Sequence, residues 1–438
     1  MLKKLSGILA CAMLAASLAG CGGSTASSNA SSGAAAGPAS AGSGAETAVS
    51  GKITIWVWTD ISSEIEAYEA SHPGTEIEQV VIESGDYLTK IQTTVASGGT
   101  LPDLVWGEIS NRGQLFEMDI LEDLEAAPYK LDTSLLEASV LPTMKTEDGR
   151  VVGLERNVTP AGLAYRRGLA EQYLGTSDPE QVAALIPTWD AFIEQGQKAV
   201  EASGGKVNMF TSLGDVYYIV NGQSGAMRIS DGTIHKDVVE QLFTDICKFR
   251  DAGIVGKLDQ WSPAWYASFG SADAVFSPMP SFGQDNWIAP NEADGEADWA
   301  LIVPPGGGFS WGGTCWGITK DSKNKELAWD FATWDVLGEG VDMRYANGET
   351  PSMAGYMTEE KLQAESPYFG GQKVAEVYAK NIVPTIHTNV PTAYDFADIC
   401  TIELVLSSLN TDYSMTAQQA ADAYIAEMQN QAPELTVG

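Results

Sequence analysis

"GKITIWVWTDISSEIEAYEASHPGTEIEQVVIESGDYLTKIQTTVASGGTLPDLVWGE", residues 51–108, changes its hydrophobic period four times. Lys52 to Thr59 alternates and is rich in β-branched and aromatic residues, the pattern of a strand. From Ile61 the period lengthens. Ile61, Ile65 and Tyr68 fall on one helical face, Ser63 and Glu66 match a capping box, and "HPG" at 72–74 stops the run. "TEIEQVVIES" then reads as a second strand, "DYLTKIQTTVASGG" as a helix with Leu88, Ile91 and Val95 on one face, and "LPDLVWGE" as a third strand. Strand, helix, strand, helix, strand predicts a parallel sheet covered on both faces.

Upstream of this unit, Lys3 and Lys4 precede an apolar run from Leu5 to Ala19 that is too short to span a bilayer as a helix. It has the form of a secretory signal peptide. The run closes on Leu18-Ala19-Gly20-Cys21, which resembles the bacterial lipobox, so residues 1–21 are expected to be a lipoprotein signal with Cys21 as the lipidated residue. Residues 22–50 are almost entirely Gly, Ser, Ala and Thr and have too little apolar surface to offset the entropy of ordering. They are expected to form a flexible tether with a root-mean-square reach on the order of 30 Å.

The body beyond the tether exceeds the usual size of a single core, so two lobes are expected. The 438 residues include 25 basic and 58 acidic ones, and without residues 1–21 the balance is 23 against 58, a formal charge of −35. Nucleic acid and anionic lipid surfaces are poor partners for such a chain. Cys247, Cys315 and Cys400 cannot form a disulfide framework; one pair is open to them, but their spacing, unlike a metal or redox motif, favours three buried thiols. His72, His235 and His387 stand alone without metal-ligand spacing, and no phosphate-binding loop occurs, so neither a cofactor nor a metal is expected.

Five segments, in order and spacing, carry a resemblance to a known family: "ASHPGTEIEQVVIES", "IQTTVASGGTLPDLVWGE", "DGRVVGLERNVTPAGLAYRR", "PTWDAF" and "GGTCWGITKDSKNKELAWDFATW". "NGETPSM" and the closing "VPTAYDFADICTIELVLSSLNTDYSMTAQQAADAYIAEMQ" extend it over residues 51–430. The chain resembles the extracellular solute-binding proteins of family 1, sugar receptors that feed ATP-driven (ABC) importers. Two departures are visible: Glu155 stands where the family usually has Pro, and "GSADAVFSPM" replaces a Gly-Lys-Ala-Ala-Met-like segment. The resemblance implies an α/β fold of the two-lobed, periplasmic-binding-protein-like type II, with a ligand cleft between the lobes. Lobe 1 would take residues 51–156 and 314–350, lobe 2 residues 160–310 and 351–438, with the hinge near 157–159 and 311–314. It further implies a carbohydrate ligand, more in keeping with an oligosaccharide than an ion or amino acid. The implied setting is a lipid-anchored monomer on the outer face of the membrane, delivering to permease subunits.

Some of these segments have purely structural readings. In "PTWDAF" Thr188 can cap a helix that buries Trp189 and Phe192, and Leu327, Phe331 and Trp334 fall at helical spacing.

Sugars present C–H faces and hydroxyl rims, so their sites pair aromatic platforms with planar polar groups. Trp58 and Asp60 end the first strand, where open α/β sheets place ligands, and Glu108 and Asn111 follow the third strand in the same way. Trp56 is expected in the core. Asn157 marks the first crossing. Phe282 and Trp287 lie in a turn-rich stretch after a strand, and Trp311 sits between "PPGGGFS" and Gly312-Gly313. Tyr394 and Asp395 fall where the family's last ligand-facing segment begins. Trp261, Trp265 and Phe269 form a helical stripe, expected to be core with one exception at most. Gly308-Phe309-Ser310-Trp311-Gly312 satisfies GxSxG, but Pro and Gly precede it and strand-like residues follow, the wrong context for a hydrolase elbow. A secreted glycosidase with a Trp-lined cleft and a surface adhesin on the same fold are the rival readings.

Overall fold

A computed structural model describes residues 49–271, 273–292 and 298–438; the apolar leader, Cys21 and nearly all of the tether lie outside them. The first sheet contains β1 (Gly51–Val57), β2 (Thr75–Val81), β3 (Leu104–Glu108) and β4 (Leu154–Glu155). The second contains β5 (Pro160–Arg166), and a hairpin of β6 (Ile229–Ser230) and β7 (Thr233–Ile234) lies beside it in sequence. The chain continues through β8 (Phe276–Pro280), β9 (Trp299–Ile302), β10 (Phe309–Ser310), β11 (Thr314–Ile318) and β12 (Thr436–Val437).

The strand order β2-β1-β3-β11-β4 is parallel through its first three members, with Ile53 facing Ile77 and Ile55 facing Leu104. It then turns antiparallel, because β11 returns from the second lobe and sets Trp316 opposite Trp106. The parallel unit expected of β1, β2 and β3 is present, within a sheet that β11 and β4 make mixed. β5, buried at every residue, is central to the second sheet, flanked by β8 and by β9 and β10. Each sheet has its own apolar core: one joins Ile53 to Val158 with Cys315 to Val336, the other runs from Ala161 through Phe309 to Leu435. The fold is thus two-lobed α/β.

Local signals held unevenly. Ile61, Ile65 and Tyr68 are buried, as is Trp56. Thr188 accepts from the Ala191 amide, capping the helix Trp189–Ser203. Phe192, Leu327 and Phe331 are buried, while Trp189 and Trp334 are half-buried. The Ser63–Glu66 capping box does not form. Asp60, two residues ahead of the helix Ser62–Ser71, takes that place by accepting from the Ser62 amide at 3.0 Å. Val95 is exposed, since the helix Ser84–Ser97 presents its last turn to solvent. Cys247 and Cys315 are buried, but Cys400 is half-buried on the wall of a cavity described below.

The two cores meet at strap-like crossings. Asn157 Oδ1 accepts from the Thr314 amide at 3.1 Å, so the outgoing and returning chains are tied to each other. Pro351 bridges Asn157, and the Glu137 amide donates to the Ser352 carbonyl. Beneath them Asp335 is fully buried, accepting from Arg156 Nε at 2.8 Å and the Trp316 indole at 2.6 Å. Arg344 donates to the Asp335 carbonyl and, at 2.6 Å, to the Arg156 carbonyl. Glu155 forms a second buried pair with Arg112, and Thr143 donates to it at 2.9 Å. That pairing explains why a charged residue stands at the position where the family resemblance leads one to expect proline.

Burial by itself would raise the Asp335 carboxyl, but the charges of Arg156 and Arg344 overcome it and hold it below the ordinary value. The folded value is depressed, so this stabilisation is present above the unfolded carboxylate value and is lost as pH falls through the folded one. Asp335→Ala leaves two buried guanidinium groups with only the partly exposed Glu349 carboxylate as a counter-charge. It should lower unfolding free energy by about 3–5 kcal/mol, read by urea denaturation at neutral pH.

Candidate functional site

A cavity of about 640 Å³ opens between the lobes. The first lobe contributes Ser84, Glu108, Ile109, Ser110 and Thr143, the crossing contributes Ser310 to Gly312, and the second lobe contributes the rest. The volume falls within the usual range for small-molecule sites, about 300–1,000 Å³.

Its aromatic surface comes from the second lobe and the crossing. Trp311 stacks on Tyr218 with centroids 4.2 Å apart and an interplanar angle of 19°. Trp261 meets Trp311 edge-on at 5.7 Å, and Phe282 reaches the same wall beside Gly312. Trp261 is 37% exposed and holds φ +67, a conformation that costs an L-residue with a large side chain about 1–2 kcal/mol. Strain of this kind persists where the surroundings fix it, often at functional sites. Gly312 and Gly313, at φ +90 and +141, let the crossing turn next to the rings where a side chain would be strained.

Polar groups face these rings from both lobes. Glu108, at the end of β3, accepts from the Ser110 amide at 2.7 Å and from its hydroxyl, while burial pushes its carboxyl above the ordinary value. Arg228 is held by Asp398, with Nε at 2.9 Å from Oδ1, and Asp398 also accepts from Tyr424. Asp395 accepts from the Thr392 amide and hydroxyl at 2.9 and 2.6 Å. Asn221, His387 and Glu403 complete the wall. The 387–395 segment also touches the first lobe: Thr388 donates to the Ser139 carbonyl at 2.6 Å, and a Cβ on Gly113 would lie 1.8 Å from the Thr392 carbonyl oxygen.

Of the residues singled out from the sequence, Glu108, Phe282, Trp311 and Asp395 line this cavity. The structure places the others elsewhere. Trp287 is 4% exposed and packs behind the wall, edge-on to Trp311 at 5.0 Å, because its turn forms a helical segment that folds inward. Asp60 is occupied as the turn acceptor described above, with Gln79 as a further donor. Trp58 is half-buried against Tyr87 and Trp106. Asn111 precedes the helix Arg112–Glu117, Asn157 ties the crossings, and Tyr394 donates to Glu434 at 3.3 Å.

Sequence reasoning missed Tyr218, Asn221, Arg228, His387 and Glu403. For Trp261 a signal existed: the helix begins at Pro263, so Trp261 precedes it and falls outside the stripe that buries Trp265 and Phe269. Ser310 ends β10, and the chain runs through Gly312-Gly313 into β11, so the helix of a nucleophile elbow is absent there. Among the described residues no group of three or more His, Cys, Asp or Glu is arranged to hold a metal.

Two α/β lobes strapped together at one side, with an aromatic and polar cavity between them, define a two-lobed cleft-binding protein. The family model for bacterial extracellular solute-binding proteins matches residues 64–367, and the chain belongs to that family. A lactose-binding protein of Rhizobium radiobacter is 26% identical over 369 residues, 77% of this chain and 83% of that protein. Among solved structures, an extracellular solute-binding protein of family 1 superimposes with TM-score 0.78 at 21% identity, covering 87% of this chain and 99% of its own. The ABC transporter associated binding protein from B. animalis subsp. lactis Bl-04, in complex with beta-1,6-galactobiose, gives TM-score 0.69 at 18% identity, covering 88% and 99%. The galacto-N-biose-/lacto-N-biose I-binding protein from Bifidobacterium longum, in complex with lacto-N-biose, gives 0.69 at 15%, covering 90% and 100%. At these identities the structural likenesses establish the fold.

Burial in the wall, opposed by the Thr392 hydrogen bonds and reinforced by Asp398, pushes the Asp395 carboxyl up to about 7. Its folded value lies above the unfolded one, near 3.9, so its contribution to stability is complete below pH ~4 and is lost as pH rises toward 7. Asp395→Asn should therefore shrink the difference in thermal midpoint between pH 5 and pH 8. An unchanged difference would mean that Asp395 is ionised throughout.

Proposed function

We propose that this chain is the lipid-anchored receptor of an ABC importer, capturing a carbohydrate between its lobes and handing it to membrane permease subunits. The observation that carries the reading is the aromatic wall of Tyr218, Trp261, Phe282 and Trp311 sharing one cavity with carboxylate, amide and guanidinium groups. Aromatic faces match the C–H faces of a pyranose, and planar polar side chains match its hydroxyls. Glu108 comes from one lobe and the rings from the other, so a bound sugar would stabilise the closed arrangement by touching both. The mechanism is capture by closure of a monomer, with no cofactor and no bond made or broken. The galactobiose and lacto-N-biose complexes of the structural relatives and the lactose-binding sequence relative support a sugar ligand, in keeping with an oligosaccharide.

Calorimetry against a panel of neutral glycans should show saturable binding with the glycan recovered intact; release of smaller sugars during the titration would make the protein a glycosidase. Trp261→Ala should weaken that binding about tenfold or more, about 1.4 kcal/mol. Small-angle scattering should show a smaller radius of gyration with ligand than without it, and equal radii would overturn closure.

Cys21, the tether and an outer-face location belong to the same proposal, supported by the order of charge, apolar run, small residues and cysteine in the leader. Cys21→Ser should abolish incorporation of labelled fatty acid in a bacterial host and release the protein from the membrane fraction.

A further inference from the structure

Outside the cleft, a second cavity of about 640 Å³ lies on the second lobe, where the helices Leu213–Ser224 and Lys236–Asp251 pack together. Val238, Gln241, Leu242, Asp245, Lys248 and Phe249 form one side of it, recurring every three or four residues and so sharing a helical face. From Val238 to Phe249 that face runs about 16 Å, at 1.5 Å per residue. It mixes apolar Val238, Leu242 and Phe249 with polar Gln241, Asp245 and Lys248.

The groove and the cleft are neighbours. Asn221, Ala226 and Arg228 line both, and the stretch "SGAMR" at 224–228 forms the divide. The His387 ring packs on Gly225, within 3.1 Å of where a Cβ would stand, while Ala226, exposed, carries only a small side chain, so the passage between cleft and groove runs over Ala226. Beyond it the chemistry of the cleft is repeated in milder form. Trp189 is half-buried at the far end, its indole donating to Gln223 Oε1 at 3.0 Å, and Gln223 is itself anchored to the Pro305 carbonyl at 2.8 Å. Of its charged lining, Lys248 is paired with Asp190 and Arg228 with Asp398, while Asp237 and Asp245 remain as acceptors, Asp245 taking a hydrogen bond from Gln241 at 2.9 Å. Such a surface offers a ring edge, amide groups and carboxylate acceptors, the planar hydrogen-bonding partners that suit a polyhydroxylated chain.

We infer that the binding surface continues from the interlobe cleft across Ala226 into this groove, which holds the outer rings of an oligosaccharide too long for the cleft. This rests on the carbohydrate reading above and extends it from a sugar class to a chain length. Gln241 is exposed on its helix and does not line the cleft, so Gln241→Trp fills the groove without altering the cleft wall.

The test is calorimetry of wild type and Gln241→Trp with galacto-, malto- and xylo-oligosaccharides of two to six units. Within the series that binds, the longest members should bind wild type about tenfold or more tighter than the disaccharide. Gln241→Trp should lose that increment and keep the disaccharide affinity, which also reports that the variant is folded. Asp245→Ala, which removes an acceptor without adding bulk, should lose part of it. Affinity independent of length on wild type, or an increment that survives Gln241→Trp, overturns the extended groove alone. Failure of all three series to bind overturns the carbohydrate reading and this inference with it.

Discussion

Asp335 is the constraint on which the crossings depend. A fully buried carboxylate between Arg156 and Arg344 fixes the end of the helix Lys325–Leu337 against the start of the outgoing crossing. Arg156 in turn lies 4.7 Å from the Trp106 ring, so the same guanidinium ties the straps to the first sheet. Breaking such a pair on one side exposes the other charge to a low-dielectric surrounding, which makes the arrangement hard to loosen by degrees. The first lobe therefore offers a firm root, above which Gly312 and Gly313 carry the chain through its turn at φ +90 and +141.

The cleft built on that root is asymmetric. Its rings belong to the second lobe and the crossing, where they pack on one another and on Trp265 and Trp287 behind them. The first lobe supplies Glu108 and Ser110 from the end of β3. An aromatic platform held by its own packing does not need the opposite lobe to shape it. In the proposed mechanism the second lobe would thus present a preformed surface, and the first would close over it.

Much of the fold was legible because hydrophobic period is a local property. Ile53, Ile65, Tyr68 and Ile91 announced their strand or helix by spacing alone, and all are buried. The antiparallel entry of β11 was not legible, since nothing within "TCWGIT" records that it pairs with residues two hundred positions earlier. At the site, Glu108, Phe282 and Trp311 were reachable from their places after strands or beside glycines, and Asp395 only through the family resemblance. Trp287 was not legible because its turn-rich stretch, which reads as open loop, coils inward and buries the ring. Tyr217 and Tyr218 sit in an apolar helix whose period suits a core equally well, so no pattern separated the tyrosine facing the cavity from its buried neighbours.

The sequence by itself determined the succession of strands and helices, the need for two cores and the acidic character of the body, because these follow from short-range periodicity, length and composition. Tertiary structure alone decided which aromatic residues form a wall, which carboxylates are paired, and that the cleft borders a second groove. Those outcomes depend on which helix face meets which neighbour, and contacts between residues far apart in the chain leave no period in either segment.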